Sequence, residues 1–219
     1  GATINSSGTQ TIYSAGIASG ATISGGGIQN ISGGGSAVAT IVNSAGTENI
    51  SSGGTALSTT VNTSGIQYVS LGGLASSATL SGGTQSISSG GTALNTQIAS
   101  GGDQIVNGGA IVSGANLLSG GTQGLQSGAS VTSTTVNTGA TQAVGNAGLA
   151  ISSILSGGVQ NITSGGSATA TIISSGGSQQ ILSGGYASAT VINSGGVENI
   201  SSGGIASGAT INSSGTPTI

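Results

Sequence analysis

One polar position recurs along this 219-residue chain at nearly constant spacing, and that spacing leaves few folds open. It is occupied by Gln10, Gln29, Glu48, Gln67, Gln85, Gln104, Gln123, Gln142, Gln160, Gln179 and Glu198, with Pro217 in the same register. Nine of the eleven intervals are 19 residues and two are 18. Two positions after each comes an aliphatic residue: Ile12, Ile31, Ile50, Val69, Ile87, Val106, Leu125, Val144, Ile162, Ile181, Ile200 and Ile219. Self-similarity at a fixed short period marks a repeat architecture, whose units bury their apolar faces against one another. The chain is expected to be a single array over residues 1–219, because the period runs through without a break.

The repeat unit must be made of strands. Forty-six glycines are spread through the period, and each would cost a helix about 1 kcal/mol relative to alanine. Short β-branched runs bounded by glycine pairs such as Gly34-Gly35, Gly53-Gly54 and Gly203-Gly204 read instead as strands and turns. A unit this short has no room for a crossover helix. Three strands per unit close one coil, and the next coil pairs in parallel about 4.8 Å away. The fold class is therefore an all-β parallel β-solenoid of roughly 11–12 rungs, about 55 Å long by that spacing.

Two further columns belong to the same rung. Ile23, Val42, Val61, Leu80 and their equivalents lie about six residues before the glutamine, and Ala18, Ala37, Ala56, Ala75 and theirs eight after it. The alanines either fill a narrow inner corner or face outward on a flat side. Side chains alternate along a strand, so the glutamine shares the inward side of its aliphatic neighbour. It stands either exposed at a bend or in an amide stack bonded coil to coil, as glutamine ladders are in stacked parallel sheets. In such a stack Glu48 and Glu198 would accept from the amides above and below.

Composition removes several classes of function. There is no Lys, Arg or His, and the only charges are Glu48, Asp103 and Glu198. Nucleic-acid binding relies on cations that neutralise phosphates, and anionic membranes attract basic segments in the same way, so neither partner is expected. No apolar run reaches the ~18 residues of a helical span, and direct membrane insertion of this segment is not expected. A surface without Lys or Arg offers trypsin-like proteases nothing to cut after, which suits an extracellular life.

Catalytic chemistry has no residues to work with. Serine and threonine lack a His or Lys to act as base. Glu48 and Asp103 lie about three rungs apart, on the order of 14 Å, too far to act as a carboxylate pair. Without His or Cys, three scattered acids make no metal site. The chain is expected to be no enzyme and to need no cofactor. The serine pairs Ser51-Ser52, Ser88-Ser89 and Ser201-Ser202 follow the glutamine segment. They are either plain polar turn residues or candidate O-glycosylation sites.

Units such as Ser-Gly-Gly-Thr-Gln-Ser-Ile-Ser-Ser-Gly-Gly-Thr-Ala at 81–93, and Ser-Gly-Gly-Val-Glu-Asn-Ile-Ser-Ser-Gly-Gly-Ile-Ala at 194–206, resemble the 19-residue passenger repeats of AIDA-like autotransporter adhesins. The resemblance runs over the whole chain. It implies a right-handed parallel β-helix on the outer-membrane surface of a Gram-negative cell, exported through its own C-terminal β-barrel. Its function would be adhesion or cell–cell self-association, with copies of itself and host-surface or glycan ligands as partners. Some members of the family carry heptoses on serine, which bears on the serine pairs. The sequence departs from the pattern in its near absence of charge, and neither a barrel nor a cap is expected within residues 1–219. It is expected to be a segment of a longer passenger or stalk, or a rod that stacks end to end as a filament subunit.

Overall fold

The computed structural model describes residues 1–212 and 216–218. Three strands of two to four residues make each coil, for example Thr22–Ile23, Ile28–Ile31 and Ser36–Val38. Stacking of coils generates three sheets of 12, 12 and 11 strands, one for each strand position in the coil. Neighbouring strands in each sheet are parallel and equal residues meet: Ile12 lies opposite Ile31 and Ile31 opposite Ile50. No helix occurs among the described residues. The columns at Ile219 and its turn lie outside them.

The two 18-residue intervals lose their residue in a corner, not in a strand. Val61 stands six residues before Gln67, but Leu80 stands only five before Gln85, and Leu155 five before Gln160. At both places the shortened corner closes on an isolated bridge, Asn62 with Gly82 and Asn137 with Gly157. A loss inside a strand would send every later side chain to the opposite face. A loss at the corner leaves Gln67 opposite Gln85 and Val69 opposite Ile87.

The corner after the glutamine strand shows why glycines come in pairs. Gly53 takes φ 81°, a left-handed conformation that L residues pay to adopt. Gly54 needs no unusual φ but lacks space: a Cβ there would sit 2.2 Å from the Ile31 carbonyl oxygen of the coil below. The turns also pair with each other, as where Gly53 N–H donates to Gly72 O at 3.1 Å.

The apolar interior is divided in two. One cluster packs Ile31, Ile50, Val69 and Ile87 of the second sheet against Ala37, Ala56, Ala75 and Ala93 of the third. The alanines therefore point inward, into a corner too narrow for larger side chains. A second cluster is built on Ile23, Val42, Val61, Leu80 and Ile98 of the first sheet. Between the two clusters runs a polar wall.

Candidate functional site

That wall is the glutamine column. Gln29, Gln67, Gln85, Gln104, Gln142, Gln160 and Gln179 have no solvent exposure, so the column is not an exposed bend. Each amide sits one coil above its equivalent, and Nε2 donates to Oε1 of the lower-numbered coil. Gln29 donates to Gln10 at 2.7 Å, Gln85 to Gln67 at 2.6 Å, Gln104 to Gln85 at 2.7 Å and Gln123 to Gln104 at 2.6 Å. Gln142 donates to Gln123 at 2.7 Å, Gln160 to Gln142 at 2.6 Å and Gln179 to Gln160 at 2.6 Å. A primary amide suits this role because it carries a donor and an acceptor at opposite corners of one group.

A second column, not singled out in the sequence, braces the first. Thr40, Thr59, Thr96, Thr134, Ser153, Thr171 and Thr190 are buried eleven residues after the register position. Each hydroxyl donates to the file: Thr40 to Gln29 Oε1 at 3.2 Å, Thr96 to Gln85 at 3.1 Å, Thr134 to Gln123 at 3.2 Å and Thr190 to Gln179 at 3.0 Å. In four coils alanine takes the place, at Ala21, Ala78, Ala115 and Ala209; the first three are buried and Ala209, near the end of the rod, is exposed. The signal was present in the sequence as a Thr/Ser/Ala column. Its meaning emerges only when the coil closes and brings positions eleven apart face to face.

The acids behave unlike the symmetrical acceptors that the sequence suggests. Glu48 Oε2 accepts from Gln67 Nε2 above at 2.6 Å, and Oε1 accepts from Thr59 Oγ1 at 3.3 Å. Nothing comes from Gln29 below, because its Nε2 is already spent on Gln10. Glu198 is buried, and its Oε1 has no hydrogen-bond partner. Burial pushes both carboxyls above the ordinary carboxylate value. Bonds from Gln67 and Thr59, and the nearby Thr40 hydroxyl, oppose this at Glu48, and the nearby Thr190 hydroxyl opposes it at Glu198. Asp103 lies apart on the outer face, where it accepts from Thr122 Oγ1 at 2.6 Å.

On the outside, the serine pairs occupy one corner of the rod. Ser52, Ser89, Ser201 and Ser202 are exposed, while Ser51 and Ser88 are half-buried. Short asparagine rows also span coils on the surface, Asn49 donating to Asn30 at 2.8 Å and Asn62 to Asn43 at 2.8 Å. The third sheet presents one large apolar residue on each of six successive coils: Ile17, Val38, Leu57, Leu74, Leu94 and Ile111. All three acids belong to strands of the second sheet, so this face carries no charge. Among the described residues there is no cluster of acids able to hold a metal and no helix long and apolar enough to cross a membrane.

Comparison with known proteins meets this architecture directly. Residues 158–215 match the family model described as AIDA, adhesin of bacterial autotransporter system, probable stalk. The crystal structure of a TibC-catalyzed hyper-glycosylated TibA fragment is 34% identical over 99% of this chain and 94% of that one, with a TM-score of 0.63. This chain belongs to the AIDA-like autotransporter adhesins. No curated protein matches it by sequence. As an AIDA-like passenger it is an adhesin-like surface protein, cell-surface or extracellular in location, and its family and fold point to a structural rather than an enzymatic role.

Proposed function

We propose that the rod is displayed at the outer-membrane surface of its cell and that its long sides bind copies of itself. The carrying observation is the uncharged outer face of the third sheet, which sets one aliphatic residue beside a serine or threonine on each of six successive coils. Single exposed aliphatics need no explanation, but one on each of six successive coils, shared between two adjacent rows of the same side, marks an interaction surface. Ile17 is 77% exposed and Ile111 61%. Two like rods can meet there without like-charge repulsion. Sedimentation and electron microscopy at rising concentration test this. Side-by-side pairs, lost on Leu94→Asp with Ile111→Asp, support lateral self-association. Single rods at every concentration refute it, and favour the passive stalk that the family description names. End-to-end fibres alone would favour a filament subunit.

The serine corner is the proposed site of O-glycosylation. Its support is the exposure of Ser52, Ser89, Ser201 and Ser202 together with the hyper-glycosylated state of the similar TibA fragment. Co-expression with TibC should add mass that falls when these serines are changed to alanine. Unchanged intact mass would count against the assignment.

A further inference from the structure

Two joints of the interior file have no donor in the ordinary place. Every other joint between these side chains runs from Nε2 to a side-chain oxygen of the lower-numbered coil, Oε2 at Glu48 and Oε1 elsewhere. At Gln29–Glu48 and Gln179–Glu198 the upper residue is a glutamate, and the glutamine below offers only its Oε1. Gln29 is opposite Glu48 and Gln179 opposite Glu198 in the same register as the bonded joints. Gln29 Nε2 is committed to Gln10 and Gln179 Nε2 to Gln160. An ionised carboxylate would therefore set oxygen against oxygen, at Glu48 in a space sealed from water (0% exposed) and at Glu198 in a buried position nearer the end of the rod (2% exposed).

No cation is at hand to compensate. The chain holds no Lys, Arg or His. Around Glu48 the flanking strands Ile28–Ile31 and Ile66–Val69 contribute one titratable group, Tyr68, and it faces outward. The groups packed against the carboxyl from across the coil are the Thr40 and Thr59 hydroxyls. Around Glu198 the flanking strands Ser178–Ile181 and Thr216–Thr218 hold no titratable residue, and Thr190 packs against it from across the coil. Asp103 lies three coils from Glu48, about 14 Å away.

We propose that Glu48 and Glu198 are neutral carboxylic acids in the folded rod, each donating its O–H to Oε1 of the glutamine one coil below. A protonated carboxyl is the isostere of a primary amide, with one donor and one acceptor. At Glu48 the oxygen that Gln67 leaves free carries the proton to Gln29, and Oε2 still accepts from Gln67. At Glu198 the same proton gives the unpartnered Oε1 its bond, to Gln179. Burial, which raises both groups, acts in the same direction.

The consequence is a coupling between folding and pH. An unfolded glutamate ionises near pH 4.3, so at neutral pH each acid takes up one solvent proton as its coil closes. The stabilisation is fully present below that unfolded value and is lost as pH rises through the folded one. Across the interval the folding equilibrium constant falls about tenfold per pH unit for each acid. Acid tightens the rod at these two coils, and alkali loosens it.

The test uses the whole chain and its Glu48→Gln, Glu198→Gln and double variants, which insert the residue that other coils already carry. Infrared spectra of the wild type at neutral pH should show a protonated-carboxyl C=O band that decreases with each substitution and is absent from the double variant. Thermal stability of the wild type should fall as pH rises from neutral, while the double variant stays flat. A spectrum with carboxylate bands alone, or parallel pH profiles for wild type and double variant, would overturn the proposal.

Discussion

Gln179 and Gln180 are identical residues, adjacent on one strand, with opposite duties. Gln179 points inward, donates to Gln160 and accepts from Thr190. Gln180 points outward and is half-buried. Along the rod the inward column holds nine glutamines and two glutamates over eleven coils. The neighbouring outward column runs through Thr11, Asn30, Tyr68, Ser86, Ile105, Gly124 and Ala143. Inside, a group must both give and take a hydrogen bond, because an unpaired buried polar group costs about 1–3 kcal/mol. Outside, water satisfies whatever stands there, and the residue type is free to vary.

Substitutions that move between these two columns should separate widely. The largest loss is expected at Gln123→Leu. It strands Gln104 Oε1, which has Ala115 in place of a hydroxyl brace, together with Gln142 Nε2 and Thr134 Oγ1. Three such groups at about 1–3 kcal/mol each would bring the chemical-denaturation midpoint down sharply. Next comes Ile87→Ala in the fully buried aliphatic column, at about 2–5 kcal/mol. The same change at outward Ile105 should cost far less. Thr134→Ala converts a braced coil into one like that of Ala115, for about 1 kcal/mol in the same assay. The smallest effect belongs to Gln180→Leu, within about 0.5 kcal/mol. If Gln180→Leu and Gln123→Leu cost the same, the inside–outside distinction fails.

The acids extend the comparison to pH. Replacing an interior glutamine by glutamate, for example Gln104→Glu, should make stability fall with rising pH, since burial favours the neutral form. The same replacement at Gln180 should add no such dependence, because water solvates the charge. Midpoints measured at about pH 5 and about pH 9 separate the two outcomes.

How much of this was written in the chain depends on distance along it. The period, the strands and the absence of helix follow from columns such as Ile12, Ile31 and Ile50, because equal residues one unit apart must meet when equal coils stack. The tolerance of two short units was legible too, once Leu80 and Leu155 placed the missing residue in a corner. The hydroxyl brace was not. Thr59 lies eleven residues after Glu48, in a corner just before the strand Thr60–Asn62, and their meeting depends on how the coil closes. Nor does the sequence say which way the amides point. A glutamine column reads the same in either direction, and only the direction shows that Glu48 lacks a donor for Gln29. The outer surface stays least legible, because side chains such as Ile17 and Tyr186 there are exposed and are not fixed by neighbours in the coil.

The central claim is that the glutamine column forms a continuous hydrogen-bonded file sealed inside the rod. Side-chain amide hydrogen exchange, read by nuclear magnetic resonance on Nε2 of assigned glutamines, addresses it most directly. Gln85, Gln104, Gln123 and Gln142 should exchange only as fast as the rod itself opens, and Gln180 at close to the rate of a free amide. Rapid exchange at Gln123 in an otherwise folded rod would contradict the account.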